Sequence, residues 1–263
     1  MNIENTNTPE GWKSCTTNRR GQDIHYLVRG EGPLIVMAHG GLGDGAMNFI
    51  APEFVKAFEG HFTIALPDSL GHGLSGKPSD PALYTLKERA ADLVAVVDDL
   101  GKSEAWYMGY SMGGWTVAGI AKYFPERCAG LVVGGWDVEE GMYRSAPNFG
   151  LTEIRFEDLV RLAREEAPPE LAPEFTPEQE AALRPAINAI NDLDGQAEAL
   201  AVIKKPVLFW VGYDDPYHDP MLEFARRNGI PFFSSEGDHL EAMLHCAGAA
   251  AAISGYIRQR SAL

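Results

Sequence analysis

The chain has 263 residues, 45% of them apolar and 22% charged, enough for one large α/β domain or for a core with an insertion. Its net charge of −15 argues against a nucleic-acid surface, which needs clustered Lys and Arg, and would repel anionic polymers and anionic lipid. The three cysteines (Cys15, Cys128 and Cys246) are odd in number and far apart, which argues against a disulfide framework and against a zinc site.

Residues 1–15 are polar, without the apolar stretch of a signal peptide, and no apolar run reaches the length of a membrane span. The default expectation is a cytoplasmic protein. Residues 11–16 and 23–29 read as two strands joined by a turn around Gly21. Residues 33–38 form a continuous apolar run, as in a strand buried on both faces of a parallel sheet, and end in His39-Gly40-Gly41-Leu42-Gly43. A helix is expected over about 47–59. The next strand, 62–67, leads into a loop from Asp68 to Gly76 through Gly71-His72-Gly73. Apolar residues at helical spacing predict a helix over 84–100, with Thr85 as N-cap and Gly101 past its end.

Strand 105–108 enters Gly109-Tyr110-Ser111-Met112-Gly113 and a helix to about Tyr123 leaves it. This Gly-x-Ser-x-Gly pattern suits a nucleophile elbow, where a strand turns so sharply into a helix that the serine takes strained backbone angles. After strand 129–134 the composition changes at Trp136. From Asp137 to about Ala199 the chain is acidic, carries prolines and shows helical patches (156–166 and 177–190) but no strand-like run. Strand 206–211, helix 221–228, strand 231–235 and a closing helix over 241–260 complete the alternation. The expected organisation is a doubly wound α/β core, 1–136 and 200–263, with an inserted helical cap, 137–199.

A serine hydroxyl is a poor nucleophile at neutral pH and needs a base, which in turn needs a carboxylate to fix its tautomer. Asp214 and Asp215 follow one strand, and Asp238-His239 follows the last, where open α/β sheets place their sites. From about Gly11 onward the chain resembles the α/β-hydrolase family: the elbow, the His39-Gly40 turn, the Asp68 loop, the acid loop and the His loop match in order and spacing. The resemblance implies Ser111 as nucleophile, His239 as general base and acid, and Asp215 as the orienting carboxylate. A Gly-x-x-Asp pattern favours Asp215 over Asp214, with Asp137 a weaker rival. It also implies an oxyanion hole of the Gly41 and Met112 amides, with Leu42 a near alternative. Leu42, Tyr110 and Trp136 are candidate substrate contacts, although aromatics near a sheet edge are more often plain core. Met142, Tyr143, Phe149, Leu151, Phe156 and Val160 are possible cap residues facing the site. His39 and His72 read as structural, His218 and His245 as ordinary polar positions, and Asp238 as solvated.

The expected activity is that of a serine hydrolase acting on a small ester or lactone, needing no metal or cofactor. Enol-lactonases, carbon–carbon bond hydrolases, thioesterases and perhydrolases share the triad, and a non-catalytic ligand-binding relative is the alternative from another class. Epoxide hydrolases and haloalkane dehalogenases of this fold use aspartate at the elbow, so Ser111 sets this chain apart from them. The sequence does not specify an oligomeric state.

Overall fold

The computed structural model describes residues 8–166 and 174–261. Residues 1–7 and 167–173, within the expected core and cap ranges, lie outside the described residues, as do 262–263.

Among the described residues eight strands form one sheet: β1 (Lys13–Arg19), β2 (Gln22–Arg29), β3 (Leu34–Ala38), β4 (Thr63–Pro67), β5 (Ala105–Tyr110), β6 (Cys128–Gly134), β7 (Val207–Gly212) and β8 (Phe232–Ser235). The order is β1-β2-β4-β3-β5-β6-β7-β8. The pairs β1/β2 and β2/β4 are antiparallel and the rest parallel. Alternate side chains enter two separate cores. Val36, Tyr107, Val133 and Phe209 point into one, and Ile35, Met108, Val132 and Trp210 into the other. Both faces being covered explains why the central strands read as unbroken apolar runs.

The helices are α1 (Leu86–Asp99), α2 (Met112–Tyr123), α3 (Met142–Ser145), α4 (Phe156–Glu166), α5 (Pro177–Asn188), α6 (Gln196–Val202), α7 (His218–Asn228), α8 (Glu241–Leu244) and α9 (Ala247–Arg260). The segment between β6 and β7 carries α3 to α6 and, among its described residues, no strand. Its buried residues Phe156, Val160, Leu183 and Ile187 belong to the same core cluster as α1 and α2. The helix α6 runs across the expected boundary at residue 200.

The helix expected over 47–59 is instead a π turn (Ala46–Ile50) and a 3-10 turn (Phe54–Ala57). Pro52 supplies no N–H, and Glu53 takes a left-handed φ of 64°, so the helical ladder breaks there. The closing helix is likewise two pieces, broken at His245 and Cys246, where His245 leaves helical angles (φ −106°, ψ 43°). Among the described residues no helix is long and apolar enough to cross a membrane.

The chain passes from β3 to β4 on one side, then returns to place β5 on the other side of β3. The carboxyl ends of β3 and β5 therefore flank the point where strand order reverses, the crevice in which such sheets bind ligands.

Candidate active site

Ser111 joins β5 to α2 with φ 55° and ψ −120°, a region costly for a residue with a Cβ, on the order of 1–3 kcal/mol. The turn is tight enough to require its glycines. A Cβ on Gly113 would lie 1.9 Å from the Ala38 carbonyl oxygen, and one on Gly109 would lie 2.1 Å from the Gly113 oxygen. The Ser111 side chain does not cap α2, and the residue remains half-buried between fully buried neighbours.

Beside it runs the loop after β3. The Gly40 amide donates to Asn48 Oδ1 (2.8 Å), so Gly40 is committed to holding the loop. This loop passes close to the elbow, where a Cβ on Gly40 would lie 3.7 Å from Ser111 Cβ, and Met112 opens α2, where helix N–H groups lack partners within the helix. Leu42 holds a left-handed φ of 61° and packs half-buried against the core. His39 is fully buried; its Nδ1 donates to the Gly40 carbonyl (2.7 Å) and its Nε2 accepts the Ser69 amide (2.9 Å). Burial lowers its pKa and keeps it neutral, as that bonding pattern requires. His72 packs edge-on to it and is held further below its ordinary value, again by burial. Burial alone would raise the Asp68 pKa, but bonds from His25 and from the Leu74 and Gly45 amides lower it, fixing this loop to β2 as a charged hub.

Asp215, 4% exposed, follows β7, and His239 follows β8. His239 Nδ1 donates to Asp215 Oδ2 (2.7 Å), which leaves Nε2 as the acceptor nitrogen. Asp215 Oδ1 accepts the Tyr217 amide (2.9 Å). Asp214 is exposed and makes no contact with His239 among the described hydrogen bonds. Asp137 is buried but accepts from Arg144 and from the Glu139 and Glu140 amides at the start of the cap, with no bond to His239 among the described hydrogen bonds. The Ser111 hydroxyl is not hydrogen-bonded to His239 among the described bonds; such contacts commonly tighten only in the substrate complex.

Two other Ser–His–Asp chains are present. Ser14 Oγ, His25 and Asp68 connect at 2.9 and 2.8 Å, and Ser234 Oγ, His218 and Asp219 at 2.9 and 2.8 Å. Both serines lie within ordinary strands rather than on a strained turn with positive φ. Of these three serines only Ser111 sits on a turn with positive φ that leads directly into a helix.

Of the expected substrate contacts, two fall elsewhere. Trp136 is 1% exposed and donates from Nε1 to Gln196 Oε1 (3.3 Å), tying the cap to the core. Tyr110 is 3% exposed and sits behind the elbow, its hydroxyl donating to Asp215 Oδ2 (3.4 Å). Tyr143 and Phe149 are exposed. The residues that cover the Gly41 loop are Ile187 and Leu159, 3.3 and 3.8 Å from where a Gly41 Cβ would be. Neither was singled out from the sequence, although both are apolar positions of cap helices. Arg89, buried on α1, was also missed. It donates to Met112 Sδ (3.3 Å) and to the Ala186 carbonyl (3.0 Å), joining the elbow helix to the last turn of α5. Burial lowers its pKa to about 10. A groove of about 390 Å³ between α4 and α5, with walls including Glu157, Arg161 and Arg184, is lined by none of Ser111, Asp215 and His239. Among the described residues no cluster of His, Cys, Asp and Glu is arranged to hold a metal ion.

A family model described as alpha/beta hydrolase fold matches residues 33–154. A cis-3-alkyl-4-alkyloxetan-2-one decarboxylase of Shewanella oneidensis is 36% identical over 118 residues, which is 44% of this chain and 36% of that protein. The chain thus spans less than half of the length of the curated relatives it matches. Two solved structures share the fold at low identity. An E-2-(acetamidomethylene)succinate hydrolase has a TM-score of 0.71 at 19% identity, covering 94% of this chain and 99% of its own. The enol-lactonase of Burkholderia xenovorans LB400 has a TM-score of 0.68 at 22% identity, covering 95% and 100%.

Proposed function

We propose that this chain, which has the α/β-hydrolase fold, is a serine hydrolase that cleaves a carboxylic ester or lactone of a small, apolar to moderately polar molecule. Ser111 Oγ attacks the carbonyl carbon while His239 Nε2 takes its proton, and Asp215 holds the imidazole tautomer and stabilises the imidazolium. The Gly41 and Met112 amides receive the tetrahedral oxyanion. His239 returns the proton to the leaving oxygen, and water then hydrolyses the acyl-enzyme by the same route. The cycle uses no cofactor or metal.

The observation that carries this reading is the convergence of three strand ends: the strained Ser111 after β5, Asp215 after β7 and His239 after β8, the last two bonded at 2.7 Å. The ester or lactone bond is supported by the apolar cover of Ile187 and Leu159 over Gly41. Two similar proteins are also named for lactone chemistry, an oxetan-2-one being a four-membered lactone. A fluorophosphonate probe followed by peptide mapping tests the nucleophile. Labelling at Ser111 that disappears in Ser111→Ala is expected; labelling only at Ser14 or Ser234, or none in folded protein, defeats the reading. p-Nitrophenyl esters of rising chain length, assayed beside simple lactones and thioesters, then separate ester and lactone cleavage from the other reactions of the same triad.

A further inference from the structure

We propose that Tyr110, the residue before the nucleophile, is a positioning residue whose hydroxyl holds the Asp215 carboxylate toward His239. This rests on the triad reading above.

The Asp215 side chain is wholly enclosed, and among the described residues no Lys or Arg is paired with it. A buried carboxylate needs donors, because each unmatched oxygen lone pair costs desolvation energy. Three donors meet it: the Tyr217 amide on Oδ1, and His239 Nδ1 and the Tyr110 hydroxyl on Oδ2. Tyr110 and His239 therefore share one oxygen. The tyrosine approaches at 3.4 Å against 2.7 Å for the histidine, so the stronger bond stays with the imidazole. The phenol keeps its proton throughout, since burial first and Asp215 second push its pKa well above the ordinary value.

The tyrosine is itself fixed in place. Its ring lies against Trp210 (centroids 4.8 Å apart) and against the His239 ring (5.1 Å). Space for it is kept by two glycines at the end of β6: a Cβ on Gly134 or Gly135 would come within 2.8 or 2.5 Å of the ring. One side chain, anchored on the elbow, thus touches both the acid and the base. The backbone that sets Ser111 also sets the donor that orients Asp215, so nucleophile and acid keep register across the gap between β5 and β7.

The test is Tyr110→Phe, which keeps the ring and removes only the hydroxyl, with Tyr110→Leu removing both. Folding is checked by near-ultraviolet circular dichroism. For Tyr110→Phe the expectation is about a tenfold fall in kcat with KM within about twofold, the scale of one hydrogen bond to a charged group. The downfield proton resonance of His239 Nδ1–H should move in the same variant, which a purely packing role would not cause. Wild-type kcat and an unmoved resonance in Tyr110→Phe, with only Tyr110→Leu impaired, would overturn the proposal. Should neither variant fold, a hydroxyl proton resonance of Tyr110 in the wild-type protein, showing contact with the His239 Nδ1 proton, supports the bond, and a Tyr110 hydroxyl exchanging freely with water opposes it. Asp215→Asn is the control for the underlying reading. If it is fully active the triad assignment fails, whereas an inactive Asp215→Asn with an unaffected Tyr110→Phe defeats only the role of Tyr110.

Discussion

Asp214 and Asp215 are adjacent in the chain, yet one is exposed and the other sits beneath His239. Their substitutions should part sharply. Neutralising the proposed triad acid in Asp215→Asn removes the group that fixes the imidazole tautomer, and kcat for p-nitrophenyl acetate should fall by about 10⁴-fold. Asp214→Asn should stay within about twofold of wild type in the same assay, because an exposed carboxylate outside the hydrogen-bond chain contributes little. Full activity in the first variant together with loss in the second would reverse the assignment.

The elbow depends on the close passage of β3, β5 and α2. Gly113→Ala would gain about 1 kcal/mol of helix propensity. The added methyl group, however, meets the Ala38 carbonyl at 1.9 Å, and backbone cannot swing aside as a side chain can. The clash wins, and the variant should lose about 3 kcal/mol or more, read as a lower urea midpoint at unchanged m-value. The cap helix α5 makes a gentler test. Ile187→Val removes the Cδ1 atom that lies over Gly41, at a stability cost of about 1 kcal/mol. If this surface bounds the acyl site, the ratio of kcat/KM for butyrate over acetate p-nitrophenyl esters should rise by a few-fold. An unchanged ratio would place the acyl group elsewhere.

Across the whole molecule, stability should be sensitive to mild acid. His39 and His72 are both held neutral by burial, with pKa values below the ordinary 6.5. A depressed histidine pKa means that the unfolded chain binds the proton first. The stabilisation is complete above about pH 6.5 and declines as pH falls below it toward the folded values. Each histidine contributes a slope of up to about 1.4 kcal/mol per pH unit in that window. The interval between pH 6.5 and 5.5 lies above the ordinary carboxylate range, so relief of the −15 net charge cannot mask the effect there. The Tm of the protein should fall over that interval, and more gently in His72→Asn than in wild type. A flat Tm would show that neither ring resists protonation.

Local covalent chemistry carried much of this structure. Residues 34–38, 105–110 and 207–212 read as buried strands because both faces of a central sheet demand apolar side chains. The spacing of Gly109, Ser111 and Gly113 announced the elbow because only glycine tolerates such close backbone contact. Chain order placed the proposed acid and base on loops after later strands. Other features were set by neighbours distant in sequence. The break of the expected helix at Pro52 was legible in principle, whereas the split at Cys246 depends on packing against the turns after β3. Strand alternation assigns Tyr110 to the face of Trp106 and Met108, a signal that could have removed it from the substrate contacts. The choice of Asp215 over Asp214 is favoured by the Gly-x-x-Asp pattern of the family the chain resembles, but no local physical cue explains it. It follows from which carboxylate the β7 and β8 loops bury together, because hydrogen bonding and desolvation act across space while the sequence records only order along the chain.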